Sequence, residues 1–260
     1  MPLALGLALA YFAIYAIVFL FGSAVASFVN VLVYRLPLGI SPAGGRSFCP
    51  ACKHSLSWRD LLPVAGWLLL HGHCRYCQAK ISPRYPVVEG LGGVLAVLFS
   101  LVYGLTPQFL LTFGVAAILL AVALIDWDTM TIPNGLLLAL LLPAALALLL
   151  FPHLSVVARL AGMVAVSAPM WLLAKLRDGA FGGGDIKLMA VCGFLLGWQQ
   201  TLLACFVALL GGGGYAVWLL LSKRAQGDTQ FAFGPFLAAG VLLALLAGQP
   251  LVSWYLSLLG

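Results

Sequence analysis

Two aspartates stand where the sequence offers them least water: Asp126 in ALIDWDTMTIPN and Asp185 in FGGGDIKLMA, each beside a long apolar run. An ionisable side chain in such a place costs energy and reads first as functional. Two carboxylates held close together do not both ionise easily. They tend to share a proton, so that one takes a proton from water while the other donates a hydrogen bond. This is the acid–base chemistry of aspartyl peptide hydrolysis, and it requires no metal. Gly182, Gly183 and Gly184 let the backbone ahead of Asp185 turn tightly and approach a neighbour or substrate. A plain helix cap is the competing reading of Asp185. Asp128 does not share a helix face with Asp126, and capping, pairing with a base and assisting the pair all stay open for it. Asn134, after Pro133, reads as the structural start of the next helix.

A second constellation is Cys49-Pro-Ala-Cys52 and Cys74-Arg-Tyr-Cys77, with 21 residues between the pairs. Each short knuckle offers two sulfurs to one ion, and four thiolates close a tetrahedral shell, so the expectation is a structural rather than catalytic Zn2+. Disulfides are the alternative, disfavoured on the reducing side of a membrane. His54, His71 and His73 stand near the knuckles, but four cysteines already suffice and the histidines read as surface residues. Cys192 and Cys205 sit singly in apolar sequence, where cysteine behaves as a small hydrophobe.

The elements that must position these groups follow from composition. The 260 residues are 63% hydrophobic and 8% charged, whereas a soluble domain carries roughly 25% charged residues. The chain reads as an all-α polytopic membrane protein, because apolar residues run continuously without the two-residue alternation of a barrel. About 20 apolar residues cross a bilayer, and about eight such segments are legible: 3–34, 86–104, 108–126, 134–151, 155–174, 186–198, 199–221 and 233–248. The sixth is short, its boundary resting on Gly197–Gln200 alone. The first is too long for a cleavable signal peptide and lacks a basic start, so part of it is expected to extend beyond the bilayer. Three parts result: a first transmembrane helix (1–34), a small zinc-binding loop domain (35–85) and a helical transmembrane core (86–260). Within the loop, the apolar stretch 61–70 is too short to span and suits the interface, with Trp58 and Trp67 at headgroup level.

The net charge of +6 invites a nucleic-acid partner, but the basic residues are placed otherwise. Arg35, Arg46, Lys53, Arg59, Arg75, Lys80 and Arg84 fill the first loop; Lys175, Arg177 and Lys187 flank one later connection; Lys223 and Arg224 lie in another. With eight helices these share one side, cytoplasmic by the positive-inside rule, and only Arg159 lies near the other. Orientation on insertion accounts for the charge without a polyanion. The same topology puts Asp126, at the end of the third segment, and Asp185, at the start of the sixth, at one membrane edge.

Taken in order, SFVNVLVYRLP, the paired cysteines, RYPVVEGLGG, LIDWDTMTIPN, GGGDIKLMA and FAFGPFLAAG resemble the bacterial type IV prepilin peptidases over nearly the whole chain. These are GxGD-type aspartyl proteases, the signature matching Gly182-Gly183-Gly184-Asp185. The resemblance implies Asp126 and Asp185 as the catalytic pair. It also implies a substrate in the membrane, a prepilin or type II secretion pseudopilin, cleaved just after a glycine at the cytoplasmic face of the bacterial inner membrane. Methylation of the new N-terminus with S-adenosylmethionine is implied in the same way and by the resemblance alone, since no strand followed by G-x-G-x-x-G is present.

Three other readings are weaker. A zinc-stabilised transporter coupling protons or cations through its carboxylates would place them near the midplane of two similar halves, and no internal repeat is seen. A Mg2+-dependent transferase on Asp126 and Asp128 needs further carboxylates that the chain scarcely has. A serine protease lacks a histidine near a nucleophile, His153 lying on the opposite face.

Overall fold

The computed structural model describes residues 2–177, 179, 181–222 and 231–258. Lys223 and Arg224, which the topology argument uses, lie outside the described residues, as does Ala180 beside the glycine run. Ten helices are present among the described residues: α1 (Pro2–Arg35), α2 (Ala65–Leu69), α3 (Arg84–Tyr103), α4 (Pro107–Thr129), α5 (Asn134–Leu150), α6 (Val156–Ala165), α7 (Ser167–Leu176), α8 (Gly183–Leu196), α9 (Trp198–Leu221) and α10 (Gly234–Ser257). No named strand appears among the described residues, only the isolated bridges Phe48–Ser55 and His73–Lys80.

Every expected apolar segment is helical, and the protein is a multi-pass membrane protein. Six helical stretches are long and apolar enough to cross a bilayer: 4–35, 84–103, 107–129, 156–176, 198–221 and 234–257. The other two are shorter, with 17 residues in α5 and 14 in α8. At 1.5 Å per residue α8 is about 21 Å long, short of the ~30 Å hydrocarbon core. Its length is set by Gly182 before it and by Gly197 after it, where φ is +75°. The count of about eight spans therefore reduces to six of full length and two shorter helices packed among them. The fifth expected segment is itself divided into α6 and α7 at Val166.

The chain forms two compact units, 1–105 and 106–260. In the first, α1 packs along α3 through small residues: a side chain at Gly92 would run into Ala26, and one at Gly22 into Gly92 and Ala96. Close backbone approach of this kind is how apolar helices associate in lipid, where hydrophobic burial gives no advantage. Outside this contact α1 exposes large apolar side chains such as Leu9, Phe12 and Ile17, as a lipid-facing surface does. After α1 the chain folds back around Arg35, whose guanidinium donates to the carbonyls of Ser41, Pro42, Gly44 and Arg46. A buried cation is thus satisfied by a loop.

In the second unit, two sets of contacts define two ends. At one end, Lys187 Nζ of α8 donates to Asn134 Oδ1 of α5 at 3.1 Å, and the start of α10 meets the end of α4. At the other, Gln108 of α4 reaches Leu150 O, and Arg159 of α6 donates to Ala147 O, Phe151 O, Phe194 O and Leu195 O. Arg159 is fully buried; it satisfies the Phe194 and Leu195 carbonyls that α8 would otherwise leave orphaned at its C-terminus, and it joins the Phe151 and Leu154 N–H groups on the carbonyls of Ala147 and Phe151. Asn134 therefore does more than begin α5, because its side chain ties α5 to α8.

Candidate functional site

α4 delivers Asp126 one turn before its end, where Met130 turns left-handed and donates its N–H to Asp126 O. The side chain is 5% exposed, although it belongs to a helix that soon meets solvent-accessible residues such as Trp127 and Asp128. Its carboxylate is held from a distant part of the sequence. Gly234, the first residue of α10, donates its N–H to Asp126 Oδ2 at 2.9 Å. A Cβ at position 234 would stand 2.6 Å from that oxygen, so only glycine allows the approach.

α8 delivers Asp185 as the third residue of its first turn, with Gly182 as N-cap. The carboxylate hydrogen-bonds back to the backbone of Gly182, the reach that a third-position acid makes in a capping box. The capping reading of Asp185 is thus partly right. It does not account for the whole side chain, since Oδ1 is buried and has no partner among the described residues. An unpartnered buried carboxylate oxygen is costly, and such a group signals a role that a cap would not need. The Asp126 carboxylate acts on Asp185 electrostatically, which places the two acids within interaction range of each other. Gly184 permits the chain from Ile132 to pass close to α8, where a Cβ would lie 2.9 Å from Ile132 Cβ.

Phe181, just before Gly182, and Phe233, just before Gly234, lie 5.9 Å apart, and Tyr215 contacts Trp127, Phe231 and Phe236. Asp128 is exposed on the other side of α4. Sequence reasoning missed Gly234 as a site residue; the one signal was its place in FAFGPFLAAG, quoted only as part of a resemblance.

In the first unit, Cys49, Cys52, Cys74 and Cys77 come together, their sulfurs all within 4.8 Å of one another. The separation of Cys49 and Cys77 Sγ is 3.9 Å, which suits sulfurs each about 2.3 Å from a common tetrahedral ion. The two knuckles have the same build. In each, the residue after the second cysteine has φ of 59° (Lys53 and Gln78), and its N–H returns to the carbonyl of the first cysteine. The Cys49 thiol is lowered to about 7, mainly by the backbone of Cys52. At Cys77 a lowering hydrogen bond from Ala79 is outweighed by desolvation and by the other cysteines, and the thiol rises to about 12. Four thiols so close resist becoming four thiolates without a cation. The donor set therefore fits Zn2+. None of the nearby histidines joins it: His54 stacks on Tyr76, and His73 Nδ1 pairs with His71 O.

The knuckles are braced by Asp60, which accepts from Ser57 N and Oγ, Arg75 Nε and Tyr76 Oη at 2.7–3.2 Å. Burial opposes its charge, but these donors outweigh burial and hold its carboxyl down at about 2. The apolar stretch between the knuckles contains α2. Glu89 of α3 accepts from Val64 N at its start, and Trp67 Nε1 donates to Ile81 O.

Residues 20–103 match the bacterial peptidase A24 N-terminal domain, and residues 113–217 match the type IV leader peptidase family. Among curated relatives, a prepilin leader peptidase/N-methyltransferase of Aeromonas salmonicida is 33% identical, with 99% of this chain and 98% of the relative covered. One of Bacillus subtilis is 33% identical over 94% of this chain and 98% of the relative. One of Klebsiella pneumoniae is 40% identical over 71% and 87%. No solved structure matches the chain. The transporter alternative finds no support in these relatives. The chain belongs to the type IV prepilin leader peptidase family.

Proposed function

We propose that this protein cleaves the basic leader from type IV prepilins or type II secretion pseudopilins by two-aspartate hydrolysis. The observation that carries the reading is the pairing of Asp126 and Asp185 at one end of the second unit, with Asp185 Oδ1 buried and unpartnered. One carboxylate takes a proton from water as the water oxygen bonds to the scissile carbonyl carbon. The other, protonated, hydrogen-bonds the carbonyl oxygen as charge develops there. Collapse of the tetrahedral species breaks the carbon–nitrogen bond, and the departing amine takes a proton from the pair. The Gly234 N–H fixes one Asp126 oxygen and leaves the other free to work.

The same protein then N-methylates the amine it has exposed, with S-adenosylmethionine as methyl donor. S-adenosylmethionine, when bound, would supply an electrophilic methyl group to that amine. Zn2+ held by Cys49, Cys52, Cys74 and Cys77 is structural. The zinc loop, Asp126 and Asp185 lie on the cytoplasmic side of the bacterial inner membrane, a reading supported by the basic residues of the first loop. Incubating the purified protein with a prepilin and locating the new N-terminus by mass spectrometry tests this. Cleavage after glycine is expected; an intact leader after prolonged incubation would count against the peptidase reading.

A further inference from the structure

Hydrolysis needs more than two acids, because water must reach the scissile carbonyl. An apolar segment in a membrane is helical, and in a helix each carbonyl accepts from the N–H four residues on. The bond to be cut must therefore leave helical form. Its freed backbone groups then need partners at the membrane edge.

The chain just after Asp126 offers such partners. Met130 turns left-handed and leads out of α4, and residues 131–133 lie outside any helix. Thr131 and Ile132 are β-branched and favour extended backbone. Pro133 denies Ile132 the helical region, and is itself extended at φ −61° and ψ 128°. The segment is pinned at three points: Thr131 Oγ1 pairs with Thr129 Oγ1 at 2.8 Å, Asn134 Oδ1 accepts from Lys187 at 3.1 Å, and Ile132 rests against Gly184, the neighbour of Asp185. Yet among the described residues no hydrogen bond engages the N–H or the C=O of Ile132. Thr131 is exposed and Ile132 half-buried, so a ligand can reach this backbone. The other non-helical stretch at the pair, 231–233, is less open, since Ala232 is buried.

We infer that Ile132 is the edge to which the scissile segment of the substrate adds as an extended strand. Ile132 N–H donates to a substrate carbonyl, and Ile132 O accepts from a substrate N–H. One extended residue presents both groups to the same side, so Ile132 alone supplies a donor and an acceptor. Pro133 has no N–H and ends the edge there. The inference rests on the peptidase reading and adds what holds the peptide while Asp126 and Asp185 act on it. Because the segment is already pinned, binding does not have to order it first. A substrate that stayed helical would satisfy its own backbone and gain nothing from Ile132.

The test replaces single carbonyl oxygens of a synthetic prepilin peptide by sulfur, a poor acceptor, at every position except the scissile bond. kcat/KM is measured with the full-length, detergent-solubilised protein and with Ile132→Pro, which removes the N–H and keeps the backbone extended. One replacement should lower kcat/KM about three- to tenfold in the parent protein, the worth of one neutral hydrogen bond. The same replacement should cost Ile132→Pro almost nothing further. Equal losses in both proteins, or no sensitive position in the parent, overturn the edge, while cleavage of the unmodified peptide leaves the peptidase reading standing. If the parent leaves the unmodified peptide intact, the peptidase reading falls and the edge falls with it. A second measurement does not depend on Ile132→Pro folding. Full-length Asp126→Asn protein bound to the unmodified peptide should show slower hydrogen exchange at residues 131–132 than the same protein alone, and unchanged exchange there overturns the pairing.

Discussion

Gly234 N–H and Asp126 Oδ2 are joined at 2.9 Å although 108 positions separate them, and this contact ties the start of α10 to the acid at the end of α4. A methyl group at 234 would stand 2.6 Å from the oxygen it must reach. Gly234→Ala should therefore displace the carboxylate while favouring the helix itself. A hydrogen bond to a charged group is worth about 1.5–3 kcal/mol, so kcat for leader cleavage should fall about 10- to 100-fold with KM little changed. Steady-state kinetics on a prepilin peptide checks this; an unchanged kcat would remove Gly234 from the site.

Asp126→Asn and Asp185→Asn should each abolish measurable cleavage, a loss on the order of 10²–10⁴ from the acid–base step alone. Helix content by circular dichroism should stay that of the parent protein. Asp128→Asn, on the exposed side of α4, should retain most activity. Complete loss at Asp128 would force the pair to be reassigned.

The purified protein should contain one zinc per chain by elemental analysis. Cys49→Ser combined with Cys52→Ser should release it, since two ligands do not hold a closed site. The thermal midpoint of the first unit should drop, and cleavage of a soluble leader peptide should suffer less. A metal-free preparation with unaltered stability is the contrary result.

Asp60 sets a pH dependence. Its carboxyl is lowered in the folded protein from 3.8 to about 2, so the stabilisation is present above about pH 4 and is lost as pH falls through 2. At neutral pH it is worth on the order of 2 kcal/mol. Hydrogen exchange across residues 57–76, with chelator present throughout, should be faster in Asp60→Asn than in the parent protein at pH 7. That gap should narrow below pH 4, whereas a constant gap would point to lost packing instead.

Topology is open to single cysteines placed in a background lacking the native ones. Thr106→Cys and Ser155→Cys should react with an impermeant thiol reagent on intact cells, and Thr129→Cys and Ala180→Cys should not. A split between Thr129 and Ala180 would put the two acids on opposite faces and end the shared-water mechanism.

Much of this was legible in the sequence because membrane helices announce themselves by apolar length and knuckle spacing is local. The cysteine cluster needed only two short turns, each readable by itself. Asp126 and Asp185 were visible as charges that hydrocarbon does not tolerate idly. What stayed hidden depended on contacts far apart in sequence. α8 is shorter than a span because Gly197 turns there and Arg159 gathers its last carbonyls. Val166 divides one apolar run into α6 and α7 because Pro169 has no N–H for Ala165 O and its ring crowds that carbonyl, a local signal that the continuous apolar run masked. Gly234 looked like one of many glycines, since its role exists only where the start of α10 meets Asp126.

The contact between Gly234 and Asp126 also orders events during biosynthesis. Both acids leave the ribosome before residue 234, and at roughly 5–20 residues per second the remaining stretch takes on the order of 3–10 s. A nascent chain in that interval carries its two acids without the backbone donor that aligns one of them. On this reading the two acids are aligned for cleavage only once α10 has inserted. Co-expression of residues 1–222 with residues 223–260 as separate chains makes this visible. The first fragment alone should be inert, and activity should return when the second is supplied.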